Sequence, residues 1–269
     1  KAVVTKVYDT SGDGGVDMLD VAELFKSGEN KLTELEGDGD FRSQECLHLL
    51  DESDIVVTNP PFSLFREFVS LIVEHQKNFV IIGNQNAISY EETFSLMKNN
   101  KMWIGASIHS GDRAFFVPDD YPLDAAGCGI DEETGRKYIR VKGVRWFTNL
   151  DIKQRHEEMI LVRRYIPDEY PKYVNYNAIE VAKTSDIPCD YAGEMGVPIT
   201  FMDKYNPDQF EIVGISRELV RTLSDDVRKN GAYPQIGRFY LDAGEAKYKK
   251  VYERLVIRNK HPEVPREAQ

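Results

Sequence analysis

The sequence predicts an α/β fold: a sheet with helical crossovers, followed by a region of short strands. The runs Asp54-Ile55-Val56-Val57-Thr58 and Phe79-Val80-Ile81-Ile82-Gly83 are short, continuous and β-branched, as expected of parallel strands buried on both faces. Between them, Ser63 to Lys77 is helical by period. Leu64, Phe65, Phe68, Val69, Leu71 and Ile72 form one stripe, Arg66, Glu67, Ser70, Glu74 and Gln76 the other, and Ser63 is the expected N-cap. Strand, loop, helix and strand within about thirty residues make a βαβ unit.

The remaining elements follow in order. Ala2 to Tyr8 is strand-like, and Gly12-Asp13-Gly14-Gly15 reads as a hairpin turn with Val16 and Met18 on the return, before a helix from Leu19 to Lys26. A helix near Tyr90 to Lys98 precedes strands at Lys101 to Ala106 and Ala114 to Pro118. Arg136 to Phe147 alternates as a hairpin arm, with Arg136, Tyr138, Arg140 and Lys142 on one face. Glu158 to Val162 is expected to close this part as a strand, and Ile166 to Pro171 is a linker by composition. Short strands are expected at Tyr173-Val174, Ala178 to Val181, Ile199 to Met202, Phe210 to Gly214 and Val251 to Arg258, then a polar tail. The expected division is residues 1–165 and residues 166–269.

Composition excludes several classes. The 269 residues are 41% hydrophobic and 29% charged, ordinary values for a globular chain. No apolar run approaches a membrane span, and Cys46, Cys128 and Cys189 lack metal or disulfide spacing, so a cytoplasmic protein with reduced thiols is expected. Five histidines without His-x-x-x-His spacing argue against a metal site. There is no Walker loop and no Gly-x-Ser-x-Gly elbow, and the adjacent His109-Ser110 cannot form a triad alone. The net charge of −11 opposes a polyanion partner on average, yet nine basic and three acidic residues lie between Arg136 and Arg164, and six and two between Gly244 and Lys260. These are either solvated faces or a basic cleft for phosphates, in which Arg136, Arg140, Lys142 and Arg145 are the candidates. Tyr170, Tyr173, Tyr176, Tyr191 and Tyr205 are packing residues or stacking residues on the same footing.

The most informative residues are Asn59-Pro60-Pro61-Phe62, at the carboxyl end of the first central strand, where open α/β sheets place ligands. An amide, a stiff backbone carbonyl and an aromatic ring suit an exocyclic amino group on a flat base. The Asn59 and Pro60 carbonyls accept from the amino hydrogens and direct the nitrogen lone pair, and Phe62 stacks on the ring. The alternative is an ordinary rigid turn.

The tetrapeptide matches the amino-methylase signature. With the stretches Gly143-Val144-Arg145-Trp146-Phe147-Thr148-Asn149-Leu150 and Phe201-Met202-Asp203-Lys204-Tyr205-Asn206-Pro207, the chain resembles the EcoRI-methylase-like family of adenine-N6 DNA methyltransferases from about residue 36 to the C-terminus. The resemblance implies a Rossmann-like, S-adenosylmethionine-dependent sheet and a base flipped out of double-stranded DNA. Residues 166–269 would then be the target-recognition region, in a restriction-modification or phage and mobile-element setting. Asn59, Pro60, Pro61 and Phe62 would be catalytic. Asp40, Phe41 and Asp38, from Glu36-Gly37-Asp38-Gly39-Asp40-Phe41, would bind cofactor alongside Asn59, or would be an acidic turn. The glycine-rich loop and ribose-binding acid that the resemblance implies are not found. Their segment is therefore expected to be absent from this chain, and the chain alone to bind S-adenosylmethionine poorly. RNA adenine, a protein glutamine, or a non-catalytic nucleic-acid-binding role remain as alternatives.

Overall fold

The computed structural model describes residues 1–106, 112–124 and 127–264, so the His109-Ser110 pair lies outside the described residues. The chain divides into two compact units, Lys1–Ser53 and Asp54–Gln269.

In the first unit, strands β1 (Ala2–Val3) and β2 (Lys31–Leu32) pair antiparallel, with helices α1 (Met18–Lys26) and α2 (Gln44–Glu52). The expected hairpin return at Val16 and Met18 is instead the entry to α1. The cause is a reciprocal cap: the Asp17 carboxylate accepts the Leu19 N–H at 2.7 Å, and the Asp20 carboxylate accepts the Asp17 N–H at 2.9 Å. Gly12 and Gly14, both at positive φ, donate their N–H groups to Asp9 at 2.6 and 2.8 Å.

The second unit begins with β3 (Ile55–Thr58), a 3-10 turn at Phe62–Leu64, α3 (Phe65–Glu74) and β4 (Asn78–Asn84). β3 and β4 are parallel, Ile55 opposite Asn78, which is the expected βαβ unit. Phe65, Val69 and Ile72 bury the α3 stripe. Gly83 is required there, since a Cβ would overlap the rings of Phe65 and Phe147. Two details differ. Ser63 lies within the 3-10 turn, and Leu64 occupies the N-cap without a side-chain cap. β3 is an edge strand in the described sheet, so Ile55 and Val57 are 48% and 68% exposed where burial on both faces was expected.

Helix α4 (Glu91–Lys98) leads to β5 (Trp103–Ile104). Next come β6 (Asp112–Phe116), β7 (Cys128–Ile130), β8 (Lys137–Lys142) and β9 (Val144–Thr148). The expected hairpin of Arg136 to Phe147 divides instead between two sheets. β8 pairs with β6 and β7, whereas β9 pairs antiparallel with β4 and β5. Gly143, at φ +68°, makes the joint in a single residue. The central sheet therefore has the order β3-β4-β9-β5 and is mixed.

In the C-terminal region, β10 (Ile179–Glu180), β11 (Met195–Pro198), β12 (Phe210–Ile215), helices α5 (Ser216–Leu219) and α6 (Asp225–Asn230), and strands β13 (Tyr240–Asp242), β14 (Tyr248–Lys250) and β15 (Arg254–Asn259) follow. The second four-stranded sheet is ordered β10-β11-β15-β12. Three expected strands are absent, and of these Tyr173-Val174 makes only an isolated bridge, from Tyr173 to Leu241. Residues Glu158 to Val162 make no strand, because the Gln209 side chain takes both backbone groups of Met159 at 2.8 Å, leaving Ile160 and Val162 exposed. Ile199–Lys204 is a 3-10 helix. Tyr170, Tyr173 and Tyr205 are buried packing residues, and Tyr173 stacks on Phe239 at 4.4 Å. Tyr173 also donates to Glu180, which pairs with Arg254 at 2.6 Å.

Asp20 is buried and holds four N–H and O–H donors, which keep its carboxyl at about 2, below the ordinary value near 4. A depressed pKa contributes stability above the unfolded value that is lost as pH falls through the folded one. Asp20→Asn should therefore lower the helical signal of the chain at pH 7 and flatten its acid-unfolding curve between about pH 4 and pH 2. An unaltered circular-dichroism titration would remove Asp20 from that role.

Candidate functional site

β3 ends at Thr58, and Asn59-Pro60-Pro61-Phe62 follows directly at the carboxyl edge of the parallel pair. Pro60 is buried. The Pro61 carbonyl accepts the Leu64 N–H at 2.9 Å, which closes the turn and fixes the direction of the segment. Asn59 is exposed, and among the described residues its side-chain amide makes no hydrogen bond. Phe62 is 37% exposed.

These four residues line one side of a cavity of about 380 Å³, within the range of small-ligand sites. The rest of its lining is Ile82 and Val144, from the central sheet, and a second wall of Phe115, Ile139 and Val141. That second wall belongs to the three-stranded sheet, where Phe115 pairs directly with Ile139. Paired residues share a face, so the register fixes which side chains meet the cavity. The sheet is held in place by the Gly143 joint and by Asn84, whose amide donates to the Lys142 carbonyl at 3.3 Å. Phe115 was not legible as a site residue, because its strand is distant in sequence and only the pairing brings it to the same cavity as Phe62.

The same register sorts the basic candidates. Ile139 and Val141 face the cavity, so Arg140 and Lys142 point to the other face of β8. Arg136 stacks on Phe116 at 4.1 Å. Arg113, paired with Val141, shares the cavity face and is exposed. Arg145 corrects the sequence reading. It is 3% exposed and grips Asp203 with Nε at 2.8 Å and Nη2 at 3.1 Å, so its guanidinium is a structural group and takes no phosphate. Arg155 is likewise engaged, 3.8 Å above the Trp103 ring and bonded to Asn100 at 2.6 Å.

In the first unit, Asp40 accepts from the Arg42 backbone N–H, Nε and Nη2 at 2.8, 2.9 and 2.7 Å. The guanidinium holds the Asp40 carboxyl at about 2, so it is an ionised acceptor. The Arg42 guanidinium also lies 5.2 Å from the centre of the half-buried Phe41 ring. Asp38 accepts the Asp40 N–H at 3.0 Å and so closes the turn. The Asp40 carboxylate and the Phe41 ring are thus both engaged by Arg42. The Gly12–Gly15 loop does not fit the polar end of a nucleoside cofactor, because the Asp9 carboxylate already occupies the Gly12 and Gly14 amides. No group of three or more His, Cys, Asp or Glu side chains suited to a metal occurs among the described residues. No helix among them is long and apolar enough to cross a membrane.

A family model described as adenine-specific methyltransferase EcoRI matches residues 1–260. The chain belongs to the EcoRI-type adenine-specific methyltransferase family. The match extends to residue 1, well upstream of the stretches that first suggest it. The Type II methyltransferase M.EcoRI of Escherichia coli is 51% identical over 179 residues, covering 66% of this chain and 55% of that protein. The chain thus spans about half the length of that relative. M.MpnI of Mycoplasma pneumoniae is 38% identical over 239 residues, or 88% of this chain and 73% of the relative. M.MgeORF184P of Mycoplasma genitalium is 36% identical over 246 residues, or 89% and 76%. No solved structure matches.

The two family-like stretches now have a physical role. Asn149 accepts the Phe79 N–H at 2.8 Å and donates to the Lys77 carbonyl at 3.0 Å, and Thr148 donates to the Phe79 carbonyl at 2.6 Å. They clamp the start of β4. Arg145 joins the first stretch to the second through Asp203. Arg145→Ala should therefore cost about 3–5 kcal/mol of stability in chemical denaturation, as expected when one partner of a buried pair is removed. A wild-type midpoint would refute this structural role.

Proposed function

We propose that this protein transfers a methyl group from S-adenosylmethionine to N6 of adenine in double-stranded DNA, as the modification activity of a restriction system. The observation that carries the reading is the cavity lined together by Asn59, Pro60, Pro61 and Phe62 and by the apolar residues Ile82, Phe115, Ile139, Val141 and Val144. When bound, S-adenosylmethionine supplies an electrophilic sulfonium methyl. The chain's own groups do the rest. Asn59 Oδ1 and the Pro60 carbonyl accept from the two N6 hydrogens and draw the nitrogen lone pair out of conjugation with the ring. Fixed acceptors of this kind act without reorganisation during the reaction. Phe62 stacks on one face of the extruded base, and Phe115, Ile139 and Val141 cover the remaining apolar edge and exclude water. Asp40 and Phe41 suit the cofactor's adenine, as an amino-group acceptor and a packing face. Arg113 is the cation best placed by register for the phosphate next to the extruded nucleotide, with Arg136, Arg140 and Lys142 contributing more distant phosphate attraction. The region after Tyr165 supplies target recognition in this reading, and residues 1–165 the chemistry.

The test is transfer from labelled S-adenosylmethionine to duplex DNA, RNA and protein by the full-length protein. Label is expected in DNA as N6-methyladenine, and label in RNA or in protein glutamine alone would refute the substrate. Asn59→Ala should slow the transfer by about 10²-fold or more, as for loss of one preorganised polar group at a reacting centre. Near-normal turnover in that variant would exclude the proposed role.

Phe115→Ala should lower transfer to a paired target adenine more than to a mismatched one, because an unpaired base costs less to extrude. Equal losses on the two substrates would assign Phe115 to packing alone.

A further inference from the structure

The C-terminal region displays a loop whose side chains neither pack nor pair as core residues do. Between Gly231 and Gly237, Tyr233 is 86% exposed and Ile236 is 57% exposed, with Pro234 and Gln235 also at the surface. Tyr233 sits at φ +51°, in the left-handed region that a bulky residue rarely adopts. Such a residue persists only where its surroundings hold it, and here they do. The buried Tyr240 hydroxyl accepts the Gln235 N–H at 2.8 Å and donates to the Tyr233 carbonyl at 3.2 Å. The Ala232 N–H donates to Tyr248 at 2.8 Å and the Gly237 N–H to Val220 at 2.9 Å. The loop is therefore anchored at both ends and in the middle, while its side chains face solvent.

Two lysines stand beside it. Lys250 Nζ lies 5.9 Å from the Tyr233 ring centre and 3.2 Å from Gln235 Oε1. Lys249 and Tyr252, the latter 88% exposed, stand with Lys250 at the rim of a separate cavity of about 510 Å³. Residues 225–253 carry six basic and five acidic side chains. Arg238 is paired with Glu253 and Lys247 with Glu245, so Lys249 and Lys250 are the cations beside the loop that stand outside these ion pairs. An exposed aromatic, an amide and an aliphatic group on a rigid loop, flanked by lysines, have the chemistry that reads base edges between phosphates. Gln offers the donor and acceptor that match adenine N7 and N6 in the major groove, and apolar groups contact the thymine methyl.

We propose that the Tyr233–Ile236 loop is a sequence-reading element for double-stranded DNA. Gln235 addresses an A·T pair in the major groove, Tyr233 and Ile236 make the apolar contacts beside it, and Lys249 and Lys250 hold the flanking phosphates. This rests on the DNA-methyltransferase reading above and assigns the side chains that select its target sequence.

The experiment uses the full-length protein and has two arms. In the first, plasmid DNA from cells expressing each variant is sequenced for N6-methyladenine. Wild type should mark one sequence context, and Gln235→Ala should still methylate but lose discrimination at one base pair by roughly 5- to 150-fold. In the second, binding to duplex DNA is measured against salt, without turnover. The Lys249→Ala/Lys250→Ala double variant should bind all sequences more weakly, and its slope of log affinity against log salt should fall by about 2. A Gln235→Ala protein with the wild-type context, or an unchanged salt slope in the double variant, would overturn the proposal. So would loss of all methylation by Gln235→Ala at an unchanged melting temperature, because the residue would then act in catalysis. Absence of methylation by the wild type would instead sink the activity reading, and the binding arm would still decide the loop.

Discussion

The buried pair of Arg145 and Asp203 is the contact on which the second unit depends. Arg145 sits on β9, the strand that borders both β4 and β5, and Asp203 sits in the 3-10 turn that leads to β12. Two charges taken out of water are favourable only when their hydrogen bonds are complete. Here Nε and Nη2 donate to Asp203 and Nη1 donates to the Val144 carbonyl. A directional bond of this kind fixes β9 against the turn more narrowly than apolar packing does. With Thr148 and Asn149 gripping the start of β4, it also fixes the strand that brings Ile82 to the cavity.

From that frame the chemistry follows with few further requirements. The parallel β3–β4 pair puts the tetrapeptide at a strand end, where open α/β sheets place their ligands. Two adjacent prolines remove backbone freedom from the groups that must be oriented. The three-stranded sheet then supplies an aliphatic and aromatic surface to the same cavity. Polar groups and apolar side chains lining one cavity suit the proposed reaction, in which a weakly nucleophilic nitrogen must be aimed instead of activated by a strong base.

Much of this was legible in the chain. The Asn59–Phe62 segment, its strand, the helical stripe through Phe65, Val69 and Ile72, and the strand at Phe79 are all local patterns, and local patterns survive folding. What was missed depends on pairing. Arg136 to Phe147 alternates like a hairpin, yet one residue at positive φ sends its halves into different sheets. Glu158 to Val162 has strand composition, but the Gln209 amide stands where a neighbouring strand would be. Arg145 looks like any other cation in a basic stretch, because its partner is 58 residues away. Exposed and buried arginines differ only in such distant partners, so charge counting over 136–164 included two buried arginines, Arg145 and Arg155.

The single-residue joint at Gly143 has a consequence for how such a pocket can diverge. Because β8 passes into β9 without slack, the wall cannot be lengthened or shifted there without disturbing the sheet that carries Ile82 and Val144. An inserted residue would flip the side-chain alternation of a whole strand and turn Ile139 and Val141 away from the cavity. Reshaping this wall thus falls to exchanging the side chains at 115, 139 and 141. Here the breadth of ligand that a lineage can explore is set by a hinge with no spare residue.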